Sequence, residues 1–213
     1  MSLTDQYPVD CPFCRISSAY PPSPSSPVPS NPDPEKVSPE CYLILSTEHV
    51  LAFLDILPIA PGHILLTTRD HYRTLGDLYN NPTSKSHTTA AALGTYLPLL
   101  SRALCAATGI EDWNIVQNNG ERAAQVVPHV HFHLIPRYQE GRVETQRKGN
   151  VDVGMLKSWR MFGRGAREDL DEEEARELAG RLRETVRVEV GRVGLGEMGS
   201  EGGGKGRGRG SKL

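Results

Sequence analysis

Long apolar runs, a surplus of charge of either sign and a secretory leader are all missing from these 213 residues. No stretch stays apolar for the roughly 20 residues that a bilayer-spanning helix needs, so a membrane partner is not expected. A net charge of −2 gives nucleic acid or an anionic membrane no general electrostatic hold. Basic residues do gather near the C-terminus, but in a glycine-rich stretch with no interleaved aromatics, which disfavours a nucleic-acid role. Cysteine is limited to four residues, and Met1-Ser2-Leu3-Thr4-Asp5-Gln6 lacks the basic-then-apolar layout of a signal peptide. The expectation is therefore an intracellular globular protein, not secreted, whose thiols are reduced or hold metal.

Proline is unevenly spread. Eight of the sixteen prolines lie in residues 17–39, among many serines. Such a stretch has little to bury, and it is expected to be an extended, disordered insertion between residues 1–16 and 40–140 of one folded unit. Past it, strands are predicted over 41–45, 50–54, 62–68 and 113–117. A helix is predicted from Thr88 to Ala107, apolar through Leu93, Tyr96, Leu97, Leu100 and Leu104 and ending near Gly109. Residues 141–190 form an extension with a charged helix over 169–190. Its apolar stripe is Leu170, Leu178, Leu182, Val186 and Val190, and Asp169 with Glu172 suits a capping box. Residues 191–213 read as a disordered glycine-rich basic tail. Several strands with short connections and one long helix make an α+β fold, an antiparallel sheet with a long helix and a C-terminal helical extension.

Histidine carries the chemistry. In Val126-Val127-Pro128-His129-Val130-His131-Phe132-His133-Leu134-Ile135-Pro136, the alternation and the flanking prolines predict a strand. Side chains two apart on a strand share a face, roughly 6.5–7 Å from one to the next. His129, His131 and His133 would then line one side and Val130, Phe132 and Leu134 the other. Such a row suits a nucleophilic middle imidazole helped by its neighbours. It also suits a three-ligand catalytic zinc, or a plain hydrogen-bonded surface row. The nucleophile reading is preferred.

Two shorter motifs remain. Cys11-Pro12-Phe13-Cys14 is common to zinc sites and redox pairs, and no βαβ unit surrounds it to favour redox use. A zinc would need two more ligands, with His49, His63, His71 and His129 available, and four filled positions would make it structural. Ser211-Lys212-Leu213 matches the peroxisomal address read by an import receptor, so the expected location is cytoplasmic, peroxisomal or both.

Taken together, these motifs resemble the histidine-triad (HIT) family. The resemblance runs from Cys11-Pro12-Phe13-Cys14-Arg15-Ile16 through Ala52-Phe53-Leu54-Asp55-Ile56, Pro61-Gly62-His63 and Gln117-Asn118-Asn119-Gly120 to Pro136-Arg137-Tyr138. With the insertion set aside it covers residues 9–140. It looks most like the HINT-type adenosine phosphoramidase branch, in the subgroup that keeps a zinc-binding Cys-x-x-Cys, and the C-terminal extension looks fungal. The resemblance implies a HIT-like fold and a homodimer. It makes His131 the nucleophile that forms a nucleotidyl-imidazole on the α-phosphate, with His133 assisting at the phosphate. It places Asp55 on the ribose hydroxyls, and Phe13, Ile16, Phe53 and Ile56 around the base. Asn118 and Gln125 would hold phosphate oxygens. A structural Zn2+ would sit on Cys11, Cys14, His71 and His129, with no catalytic metal. One departure is Val126, where the family usually has Ser or Thr: the backbone N–H survives and the phosphate-binding hydroxyl is lost.

The expected activity is hydrolysis or transfer at the α-phosphate of adenosine nucleotides such as AMP phosphoramidates. A dinucleoside polyphosphate hydrolase is the alternative in the same fold, and a nucleotide-binding adaptor with incidental turnover the alternative in another class. Each residue also has a plainer use: Asp55 as a turn cap before Pro58, Asn118 as a turn residue, Phe13 and Phe53 as ordinary core, His63 as a structural hydrogen bonder.

Overall fold

The computed structural model describes residues 11–138 and 171–195. Five strands form one antiparallel sheet: β1 (Leu43–Ser46), β2 (Val50–Leu54), β3 (Ile64–Thr68), β4 (Asp112–Gln117) and β5 (His131–Arg137), in the spatial order β1-β2-β3-β5-β4. Three α-helices accompany it among the described residues: α1 (Pro12–Ala19), α2 (Ser84–Thr108) and α3 (Glu172–Arg192). Strands β1, β2 and β3 are buried at every position because the sheet is covered on both faces. On one face Ile44, Ala52, Leu54, Ile64, Leu66 and Leu134 pack into a core with Leu100 and Leu104 of α2 and with Leu182 and Val186 of α3. On the other, Leu43, Leu51, Phe53 and Leu65 pack against Cys11, Phe13, Tyr20 and Cys41.

Register sets the site. Leu43 pairs with Phe53, Phe53 with Leu65, Leu65 with His133 and His133 with Val116. One row across the sheet thus carries Phe53 and His133 on the α1 face. The next row brings Leu51, Thr67 and His131 to the same face.

The helix ends follow from capping. Thr83 accepts from the Ser86 N–H and starts α2 four residues earlier than the sequence predicts, and Gly109 closes it at φ 68°. α2 is long and apolar enough to cross a membrane by length and composition alone, unlike the sequence expectation. That composition has a local cause: Leu93, Leu100 and Leu104 bury one side of it in the core. α3 begins three residues later than the predicted start, after Asp171, whose carboxylate accepts from the Glu174 N–H. The capping box expected from Asp169 to Glu172 lies partly outside the described residues, and so does Leu170. The rest of the predicted stripe, Leu178, Leu182, Val186 and Val190, is buried as the 3.6-residue period requires.

Residues 17–39 do not match the disordered insertion that their composition suggests. α1 occupies the first of them, and Ser17, Tyr20, Val28 and Pro34 are buried. Tyr20 Oη donates to the Asp33 carbonyl (2.7 Å), the Ser46 N–H of β1 donates to the Pro27 carbonyl (2.8 Å), and the Cys41 N–H donates to the Pro34 carbonyl (3.0 Å). Composition counts apolar residues, and here a few isolated anchors suffice because β1 is an edge strand with N–H groups to satisfy.

The histidine strand is displaced too. It starts at His131, not before His129, and runs through Pro136 to Arg137. Leu134 is the last β5 residue paired to β3, so Pro136 has β4 on one side only, the edge setting in which its missing N–H costs nothing. The terminal Ser211-Lys212-Leu213 and residues 141–170 lie outside the described residues.

Candidate active site

Phe13, Ile16, Phe53, Asp55, Ile56, Asn118, Val126, His131 and His133 line one cavity of about 410 Å³. Its aromatic wall is set by α1 and β2. The Phe13 ring meets Phe53 edge-on with centroids 5.5 Å apart, and meets His131 the same way at 5.1 Å. Phe13 and Phe53 are core residues as well as cavity lining, so one position serves both packing and the cavity wall. Val37 and Pro39, from the segment expected to be disordered, and Cys41 just after it complete the wall. Composition hid them, and no motif marked them. Burial pushes the Cys41 thiol up and keeps it inert.

The three histidines of the run do three different things. His131 Nδ1 lies 2.6 Å from the His129 carbonyl, which can only accept, so Nδ1 carries the proton and the neutral ring has its lone pair on Nε2. His133 Nδ1 lies 3.0 Å from His63 Nε2. The Ile59 N–H donates to His63 Nδ1 (3.2 Å), which puts the His63 proton on Nε2, and His133 accepts it. His133 in turn carries its own proton on Nε2. Asp55 Oδ2 stands 3.3 Å from His63 Nδ1 as the counter-charge for a protonated His63, and Asp55 Oδ1 accepts from the Leu57 N–H (3.0 Å). Asp55 therefore caps the turn before Pro58 and faces the cavity.

His63 is hydrogen-bonded as expected, but its place beside His133 was not legible. It follows Gly62, whose φ of 86° bends the chain into β3, and a Cβ there would press on Thr108, Leu104 and Pro136 at 3.2–3.4 Å. Only the β3–β5 register brings the two rings together. Asp55, His63 and His133 are spaced so that they could hold a metal. The hydrogen bond between the two rings equally suits them to pass a proton.

Gln125 is a correction. Expected at the phosphate, it lies outside the cavity wall, and its amide is committed to backbone. Its Oε1 accepts from the Gly120 N–H (2.7 Å), and its Nε2 donates to the Arg73 carbonyl (2.6 Å). Bracing the 120–126 loop, in which Ala124 adopts φ 63°, takes the groups that phosphate binding would need. Val126 is 85% exposed at the cavity mouth.

His129 turns away from the cavity. Its Nε2–H donates to the Thr68 carbonyl (2.9 Å), which leaves the Nδ1 lone pair facing the cysteines. Nδ1 is 3.4 Å from Cys11 Sγ and 3.6 Å from Cys14 Sγ, and His71 Nδ1 is 3.1 Å from Cys14 Sγ. Ligands of a tetrahedral zinc at the usual bond lengths lie roughly 3.5 Å apart, so these four donors fit one. The thiol of Cys14 donates to Cys11 and holds the Cys11 group far below its ordinary value, to about 3, against the effect of burial. Cys14 is pushed up by giving that hydrogen bond and by burial. Burial and the nearby His129 lower His71, which favours the neutral ring a metal needs. With each ring engaged differently, the histidine row is not a three-ligand catalytic metal site.

The HIT domain model matches residues 37–140. An adenylylsulfatase of Arabidopsis thaliana is 33% identical over 60% of this chain and 52% of its own length, so the chain spans about half of that relative. An adenosine 5'-monophosphoramidase of Schizosaccharomyces pombe is 36% identical over 47% of this chain and 67% of its own. A solved structure of a zinc-bound histidine triad family protein from Mycobacterium smegmatis is 21% identical, with a TM-score of 0.52 over 84% of this chain and 94% of the other, a likeness of fold.

Proposed function

The chain belongs to the HIT domain family, and from that membership we propose that it is a nucleotide hydrolase that cleaves a substituent from the α-phosphate of adenosine nucleotides, AMP phosphoramidates above all. The observation that carries this is the tautomer of His131. A carbonyl acceptor at Nδ1 fixes a nucleophilic Nε2 beside an apolar slot of the right size for a base.

In the first step His131 Nε2 forms a bond to phosphorus, and the bond from phosphorus to the leaving group breaks with its electron pair going to that group. His133 gives its Nε2 proton to the departing atom and takes the His63 Nε2 proton at Nδ1; for this step His63 enters protonated, its Nδ1–H turned from the Ile59 contact to Asp55 Oδ2, and ends neutral. Water then attacks the phosphorus and gives a proton to His133 Nε2, His133 returns its Nδ1 proton to His63, and the phosphorus–Nε2 bond breaks with its electron pair going back to the His131 imidazole. Asp55 accepts from the ribose hydroxyls, and Phe13, Ile16, Phe53 and Ile56 line the apolar slot that takes the base. Asn118 stands by the phosphate, where Val126 offers a backbone N–H but no hydroxyl.

The donor set Cys11, Cys14, His71 and His129 would hold a structural zinc. Such an ion would fix the His129 ring, and with it the carbonyl that orients His131. A homodimer through β4 is part of the same reading. The β1 edge is covered, since Arg183 of α3 donates to the Leu43 carbonyl (2.9 Å), whereas edge strand β4 exposes Trp113 and Ile115.

Turnover of an AMP phosphoramidate by the wild type and by His131→Asn, with and without chelator, tests the activity. The variant is expected to lose at least about 10³-fold in kcat, while the folded wild type keeps turning over under chelation. Activity that disappears with chelator while folding persists would point to a metal centre. Binding of AMP by the wild type without turnover would point to an adaptor.

A further inference from the structure

A second groove, of about 620 Å³, opens beside the cavity and is lined by Arg73, Gly120, Glu121, Gln125 and Pro128, together with Ala124 and Val126. Ala124 and Val126 also line the main cavity, so the two spaces meet across the 124–126 loop. The base slot fills the side of Phe13 and Phe53, so the substituent that leaves the phosphorus has this groove as its way out.

The groove is built, not incidental. The Tyr72 carbonyl accepts from the Val130 N–H (2.7 Å), the Arg73 carbonyl accepts from Gln125 Nε2 (2.6 Å), and the Leu75 N–H donates to Asn119 Oδ1 (2.8 Å). Three bonds thus stitch the Arg73 segment to the histidine strand and to the loop before it, fixing where the guanidinium starts. The same bonds account for the Gln125 amide, which bridges the wall and does not bind phosphate. Arg73 is exposed, and among the described residues no carboxylate forms an ion pair with it. Val126, 85% exposed, forms an apolar lip between the two spaces. Glu121 on the same wall carries the opposite charge, so the groove suits one anionic group alongside an N–H donor better than a cluster of anions.

We propose that Arg73 is a specificity-determining residue for the leaving group, selecting phosphoramidates whose amine carries a carboxylate or comparable oxyanion. The guanidinium pairs with the oxyanion, and the aliphatic part of the amine lies over Val126. The proposal rests on the phosphoramidase reading and adds to it the chemical class of the substituent.

A matched pair of substrates isolates the effect: AMP joined through nitrogen to alanine, and AMP joined in the same way to alaninamide. Both present one phosphorus–nitrogen bond to His131 and differ in a carboxylate against a neutral amide. The wild type is expected to favour the carboxylate by about 5- to 50-fold in kcat/KM, in line with a partly exposed charge-assisted bond. Arg73→Gln should bring that ratio close to one by slowing the alanine substrate and leaving the alaninamide substrate unchanged. Raising the salt concentration should shrink the wild-type ratio as well. A wild-type ratio near one, or a ratio that survives in Arg73→Gln, overturns the proposal and leaves the phosphoramidase reading intact. Failure of the wild type to bind AMP or to cleave either substrate overturns both.

Discussion

Each histidine of the triad run takes its role from what sits on its Nδ1. In the proposed mechanism a carbonyl makes His131 a nucleophile at Nε2 and a neighbouring imidazole makes His133 a donor at Nε2, while the two thiols place His129 where it could be a ligand. His63 is a positioning residue, reaching the reaction only through His133, and its loss should matter only where a proton is needed. His63→Asn is expected to lower kcat about 10²-fold with an alkylamine leaving group and by less than about 5-fold with an acidic phenol, which departs as an anion. Equal losses with both would leave His63 a packing residue. The sequence made His131, His133 and the metal donors legible because each sits in a dense local motif. It hid the partnership of His63 with His133, 70 residues away, because only strand register creates it. Gln125 was misassigned for a related reason: an amide beside a motif looks like a ligand contact until the backbone groups it serves are in place.

At the level of elements, periodicity located the helices and capping fixed their ends, so Thr83 and Asp171 moved boundaries that the apolar stripes left open. Composition failed for residues 17–39, where Tyr20, Val28 and Pro34 anchor a proline-rich cover over β1. α3 is fastened to α2 by Glu189, whose carboxylate accepts from Arg102 Nε and Arg192 Nε, at 2.9 and 2.8 Å. The Arg102 hydrogen bond, with that of Arg192, holds the Glu189 carboxyl below its ordinary value of 4.5. A carboxylate whose folded value is depressed stabilises in full above the unfolded value, and that contribution fades as pH falls through the folded one. Glu189→Gln is therefore expected to lower Tm by about 1–3 °C at pH 7, a small effect because Arg102 is largely solvated. The difference should shrink as pH falls below 4.5 and vanish once the carboxyl is protonated in the folded protein. A difference that persists at low pH would assign the loss to packing instead.

For the whole molecule, two-sided burial explains why β1, β2 and β3 read as continuous apolar runs and not as alternating ones. It also leaves β4 as the sheet edge with large apolar groups in solvent, Trp113 at 38% and Ile115 at 45% exposure. The proposed β4 interface predicts a dimeric wild type by light scattering, and Ile115→Asp is accordingly expected to give a folded monomer. A monomeric wild type would contradict the β4 interface.

The central claim is that His131 Nε2 becomes bonded to phosphorus during turnover. The direct measurement is rapid acid-free quenching of the wild type with an AMP phosphoramidate, followed by intact-mass and peptide mass spectrometry. The account predicts an adenylyl adduct on the peptide containing His131, formed and lost at rates compatible with kcat and absent in His131→Asn. Turnover at full rate with no adduct at any time, or with an adduct on another residue, would contradict it.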